Sequence, residues 1–166
     1  TGKKARDAMK NLSKEYPILH GWNAVPKSVF LSKYMSYTEI TGIFFPFTME
    51  SNANTDISDY AIPATMCHEL SHLRGFMRED EANFIGYLAC LQSEDANFRY
   101  SGYLLGWVYA GNALAKTNPE EHARLHELLH AEVVKELEEN TEFWRRYEGE
   151  VAEVQERVND AYLKAN

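Results

Sequence analysis

The pentapeptide His68-Glu69-Leu70-Ser71-His72 constrains this chain more than any other stretch. On an α-helix, two histidines four residues apart project from one face a single turn apart, the reach two imidazoles need to hold one tetrahedral metal ion. The glutamate between them then lies beside the ion without ligating it, placed to take a proton from a water that the ion activates. The chain spells the same pattern again at His126-Glu127-Leu128-Leu129-His130, so the five residues alone decide nothing.

Context separates the copies. Around the first, Ile62, Met66, Leu70 and Leu73 form an apolar stripe, turned more than ~90° from the histidines at 3.6 residues per turn. This predicts a helix that packs with one side and presents the other to a cleft. Gly75 then stops the helix and Glu79 opens a new one, so the chain turns back with a carboxylate in hand. The second copy runs on through Ala131-Glu132-Val133-Val134-Lys135-Glu136-Leu137 with no glycine to turn it. Its His122, His126 and His130 recur every four residues, which predicts a solvated helix face able to bind metal only adventitiously.

The 166 residues, 45% of them hydrophobic, suffice for one domain with a real core and are too few for two ordinary ones, so residues 1–166 are read as a single unit. Seventeen basic against 25 acidic side chains give a formal charge of −8, the wrong sign for neutralising phosphates, which excludes a nucleic-acid partner. Cys67 and Cys90 fall in segments that read as buried helix, where a free thiol behaves as a small apolar group. The longest uncharged run, Tyr100 to Ala115, is shorter than the ~20 apolar residues needed to cross a bilayer. TGKKARDAMK shows no signal peptide, and a first residue of Thr reads as the start of an excised piece.

Ala5, Ala8, Met9 and Leu12 predict an amphipathic opening helix ended near Tyr16-Pro17. Thr41 to Thr48 is aromatic and β-branched, with an internal proline that restricts it to an edge strand. Glu50 to Asp59 reads as a loop or short strand. Beyond a Ser58-Asp59 cap, five helical segments are expected: about Tyr60 to Arg74, Arg78 to Gln92, Asp95 to Lys116, one started by Asn118-Pro119-Glu120-Glu121, and one opened by Thr141. The last carries a stripe of Phe143, Tyr147, Val151, Val154 and Val158. The fold class is therefore α+β, mainly helical, with a small N-terminal sheet.

The segment Pro63 to Cys90, with ITGIFFPFTMESNANTD ahead of it and RVNDAYLKAN at the end, resembles a bacterial family of membrane-anchored zinc-metalloprotease-like proteins that is itself a domain of unknown function. The likeness runs from Pro26 onward, and HELSH plus REDEANF is its most specific part. More broadly the arrangement resembles the gluzincin metallopeptidases, in which a glutamate on the following helix supplies the third zinc ligand. The resemblance implies a zincin-like domain with a C-terminal helical bundle and Zn2+ as cofactor. It implies His68, His72 and Glu79 as metal ligands, with Glu81 as the alternative third ligand. Glu69 would be the general base and Asn83 the outer group orienting a ligand imidazole. Two departures stand out: Asn83 replaces the usual Asp and adds no negative charge, and the gap from His72 to Glu79 is shorter than in most gluzincins. The quick turn after a glycine is similar to the metzincin pattern, but that pattern's third ligand would fall at Arg78, which cannot bind zinc.

The function expected from these residues is a zinc-dependent peptidase acting on a peptide or protein. The strand Gly42, Ile43, Phe44, Phe45, or Met49 to Thr55 after it, is a candidate to pair with an extended substrate as an added strand, or else packs as core. Donors for a developing oxyanion are left open among Tyr60, Tyr87, Tyr100, Tyr162, His20 and Arg74. The resemblance further implies membrane attachment through segments outside this chain, with the domain facing outside the cytoplasm. The rival readings are a non-catalytic binding or sensing module on a protease-like scaffold, and a helical interaction domain in which both motifs are accidents.

Overall fold

A computed structural model describes residues 1–148. It is a mainly helical α+β structure in which seven α-helices accompany one small sheet. Helix α1 (Gly2–Glu15) buries Ala5, Ala8, Met9 and Leu12 along one face and ends before Pro17, which cannot continue it. Strand β1 (Lys27–Ser28), a short helix α2 (Ser32–Ser36), β2 (Gly42–Phe45) and β3 (Glu50–Ala53) follow. The sheet order is β1-β3-β2, with β1 parallel and β2 antiparallel to β3, in the register Gly42↔Ala53 to Phe45↔Glu50.

Strand β2 is an edge strand, and it stops at Phe45 because Pro46 has no N–H for the ladder. Glu50–Ala53 proves to be the central strand, and β1, two residues long and exposed, carries no legible strand pattern. Behind the sheet, Asn54 is fully buried and holds the preceding chain in place: its Nδ2 donates to Ser36 Oγ and Ile40 O, each at 3.0 Å, and its Oδ1 accepts from Asp56 N at 2.8 Å.

Helix α3 (Ala61–Leu73) runs through the middle of the molecule, against α1, the sheet, α4 (Glu79–Leu91) and α5 (Ala96–Thr117). It is covered on more sides than its sequence stripe predicts. Met66, Leu70 and Leu73 are buried as expected, but so are Glu69, Ser71 and His72 on the polar side. Ser58 does not cap it; its hydroxyl donates to Asn140 Oδ1 instead, 2.9 Å away. Cys67 and Cys90 are free and fully buried where α3 meets α4. Gly86 allows that crossing, since a Cβ there would lie 3.1 Å from the backbone nitrogen of His68.

The C-terminal half departs from the sequence reading. Helix α6 (Pro119–His126) is capped by Asn118, and it ends in a turn over residues 127–130 before α7 (Ala131–Arg145). Thr141 does not open a helix: it lies inside α7 and its hydroxyl donates to Leu137 O at 2.9 Å. The actual N-cap of α7 is His130, whose Nδ1 accepts from Glu132 N at 3.3 Å. Val151, Val154, Val158 and Tyr162 lie outside the described residues. Among the described residues no helix is long and apolar enough to cross a membrane.

The end of α3 is set by Gly75, whose φ of +92° is disfavoured for any residue with a side chain. Gly75 N donates to His72 O at 2.9 Å and Phe76 N to Ser71 O at 3.2 Å, the paired bonds of a Schellman turn. Gly75→Ala should therefore lower stability by about 1–2 kcal/mol, visible as a lower chemical-denaturation midpoint with an unchanged slope.

Candidate metal centre

His68 and His72 leave α3 side by side, with their Nε2 atoms 3.0 Å apart. Each ring is held through its other nitrogen. His72 Nδ1 lies 2.8 Å from Phe76 O, a carbonyl that only accepts, so Nδ1 carries the proton and the neutral ring presents a lone pair at Nε2. His68 Nδ1 lies 2.9 Å from Asn83 Oδ1. The amide of Asn83 is turned that way because its Nδ2 donates to Tyr109 OH at 2.7 Å. The consequence is two imidazole lone pairs aimed at one point.

Glu79, the first residue of α4, completes the triangle. Its Oε2 is 3.2 Å from His68 Nε2 and its Oε1 is 3.5 Å from His72 Nε2. Ligand atoms ~2.05 Å from one ion at tetrahedral angles lie about 3.3 Å from each other. The 3.0 Å between the imidazoles and the 3.2 and 3.5 Å from them to the two different oxygens of the Glu79 carboxylate are separations of that size. Two nitrogen lone pairs and a carboxylate facing each other repel unless a cation sits among them, so the donor set fits a divalent ion. Glu81 is exposed and is not brought to the imidazoles, whereas Asn83 shares the face of α4 with Glu79.

Glu69 sits at the other side of His68, its Oε1 4.0 Å from His68 Nε2. One potential ligand atom from each of His68, Glu69 and His72 lies within 4.8 Å of the others, so Glu69 stands beside the same point that Glu79 approaches from α4. Glu69 is 3% exposed, and its Oε2 is a buried oxygen with no hydrogen-bond partner. Burial, helped by the negative charge of Glu79, pushes its pKa up to about 8. Burial and the neighbouring His72 hold His68 below the usual histidine value, against an opposing pull from Glu79 and Asn83. Strand β2 presses on Glu69 from the sheet side: a Cβ at Gly42 would overlap its carboxylate. Ser51 Oγ of β3 donates to the Glu69 backbone carbonyl at 3.2 Å.

The second His-Glu-x-x-His is not one helical turn at all. The break after His126 separates it from His130, and His122 and His126 lie half-buried against Trp107, with ring centroids 5.8 and 6.3 Å from it, rather than on a solvated face. Of the suggested oxyanion donors, Tyr60 lines the cavity beside His68, Tyr100 donates to Glu136, Tyr87 stacks on Phe84 and the Arg74 guanidinium lies against Gly21. Tyr109, which orients Asn83 and shares the cavity with His68 and Glu79, went unnoticed in the sequence because it sits in an uncharged helical run with no local motif.

A family model described as a protein of unknown function (DUF3810) matches residues 1–166. No curated protein and no solved structure matches the chain.

Two outcomes follow from this geometry. Asn83→Ala should weaken the binding of a divalent ion by ~10–100-fold, and Tyr109→Phe should weaken it less, both read by competition with a chromophoric chelator. The metal-free protein should also show the Glu69 titration in its stability. A carboxyl with a pKa raised from 4.5 to about 8 favours the folded state while protonated, so its contribution is full below pH 4.5 and is lost as pH rises towards 8. A depressed His68 acts in the opposite sense, costing stability as pH falls below its unfolded value. The difference in unfolding midpoint between Glu69→Gln and wild type isolates the first effect and should grow in favour of the variant from about pH 5 to pH 8.

Proposed function

The chain belongs to the DUF3810 family, whose description assigns no activity, and we propose that its site is that of a zinc-dependent peptidase on a zincin-like scaffold. The observation that carries this reading is the placement of Glu69: a buried carboxylate oxygen without a partner, next to a triangle of His68, His72 and Glu79 whose lone pairs converge. A structural metal site needs no unpaired carboxylate beside it, and burying one costs stability. The cost is explained when the group has a proton to accept.

Zinc held there would supply a Lewis acid that acidifies water and polarises a carbonyl. His68, His72 and Glu79 would hold it, with Phe76 O and Asn83 fixing the two rings so that Nε2 is the donor in each. A cation next to Glu69 favours the ionised carboxylate, which reverses the upward pull of burial and makes it a base at neutral pH. The Glu69 carboxylate, whose Oε1 is the oxygen 4.0 Å from His68 Nε2, would take the proton of the attacking water and pass it to the leaving amine. Tyr109 uses its oxygen to accept from Asn83, which leaves its own O–H free to donate towards the carbonyl oxygen.

The free edge of β2 lies on the Glu69 side of the site, where an extended peptide adds to the sheet through main-chain bonds. Gly42 of this strand lies against the base, and its lack of a side chain is what permits that approach. Membrane attachment through segments outside these residues belongs to the same proposal and is carried by the resemblance of HELSH and REDEANF alone.

Elemental analysis of protein purified without a nickel column tests the metal: about one zinc per chain, lost in His72→Ala and Glu79→Ala and kept in His126→Ala. Loss of zinc only in His126→Ala would refute the site. Peptidase activity that falls by at least ~100-fold in Glu69→Gln, with zinc retained, supports the catalytic reading. Zinc retained in a wild type that cleaves no peptide in a diverse library favours the binding-module reading instead.

A further inference from the structure

Beside the metal ligands lies a cavity of about 450 Å³ whose lining is mainly apolar. One wall is the face of α3 that leads up to His68, where Ala61, Ala64 and Thr65 leave space because their side chains are short. The facing wall is Leu105 and Val108 of α5, and Trp144 of α7 covers one side. Ser101 Oγ accepts from Ala64 N at 3.0 Å, which ties the two walls together. The position of Trp144 is fixed from both sides along α7, by Ser58 Oγ to Asn140 Oδ1 at 2.9 Å and Tyr147 OH to Asp56 Oδ2 at 3.0 Å.

The cavity adjoins the site itself. His68, Glu79 and Asn83 are part of its lining, and so is Thr41, the residue immediately before β2. A peptide laid along the free edge of β2 and crossing the metal ligands therefore passes beside the cavity, and successive side chains of a strand point alternately up and down. Among the described residues Glu79 is the one carboxylate on the wall, and it faces the imidazoles. An acidic side chain would meet its charge. The walls offer an apolar side chain the burial that favours it.

We propose that this cavity is the side-chain recognition pocket of the site and takes one large apolar residue, of the size of Phe, Leu or Met, from an extended peptide. The assignment rests on the peptidase reading for its geometry, but recognition and hydrolysis are separable by experiment. Capped hexapeptides Ala-Ala-Ala-X-Ala-Ala, with X as Phe, Leu, Gly, Lys or Asp, are titrated calorimetrically into the zinc-loaded Glu69→Gln protein, and the same peptides are offered to wild type for cleavage. The Phe and Leu peptides should bind at least about tenfold more tightly than the Gly peptide. Thr65→Phe and, from the opposite wall, Val108→Phe should abolish that preference while leaving zinc content and the affinity for the Gly peptide unchanged.

Equal affinities for Phe and Gly, including no measurable binding of either, overturn the proposal, as does tightest binding of Lys or Asp. A preference for Phe that survives both filling variants overturns it too. A preference lost in both variants, in a protein whose wild type cleaves nothing, upholds the pocket and removes the peptidase reading. Cleavage by wild type without any preference at X does the reverse.

Discussion

The structure depends on burying a polar helix. α3 sits at the centre with Glu69, Ser71 and His72 inside, and every buried polar group costs stability unless it finds a partner. Most of the surrounding architecture meets that demand. Ser71 Oγ donates back to Cys67 O, Phe76 O accepts from His72, Ser51 of β3 donates to the Glu69 carbonyl, and Ser101 of α5 accepts from Ala64 N. The sheet, α4 and α5 are thus bound to α3 by polar contacts as well as by Met66, Leu70, Cys67 and Phe98. Glu69 Oε2 is left out of this satisfaction, as is Arg74 Nε at the C-terminal end of the helix.

The outer contacts come from elements that do other work. Phe76 O belongs to the turn that terminates α3, and Asn83 is on the helix whose first residue is Glu79. Ring orientation, helix termination and delivery of the carboxylate are therefore one local unit of sixteen residues, His68 to Asn83. The neutral amide at Asn83 orients His68 as an aspartate would, but without adding charge to a site that already places Glu69 and Glu79 close together.

What was legible in the sequence is what is local. The opening helix, the stop at Gly75, the starts near Glu79, Asp95 and Asn118-Pro119, and the placement of His68, His72 and Glu79 within reach of each other all follow from spacing and capping, while Asn83 was pointed to by the resemblance of REDEANF. The failures share a cause. β1 is two exposed residues that are a strand only because β3 pairs with them, and Trp144 and Tyr109 reach the site from helices far along the chain. Thr141 looked like a helix start because threonine caps well, yet mid-helix it returns its hydroxyl to Leu137 O, while His130 takes the capping role three turns earlier. The same misplaced boundary hid the break that splits the second His-Glu-x-x-His.

The link from Gly75 to Arg78 also behaves as a ruler. Glu79 is the first residue of its helix and Asn83 lies four residues on, so both are carried by the same rigid rod and take their position from the length of four linker residues. One residue more or less would turn that rod by ~100° or slide it by ~1.5 Å, removing the carboxylate and the orienting amide together. Apart from Phe76, which packs against the core, this segment is exposed and contains no helix or strand, a setting where chains ordinarily tolerate insertion and deletion. Here its tolerance to length change is expected to be nil, although its tolerance to side-chain change at Met77 and Arg78, both exposed, remains wide.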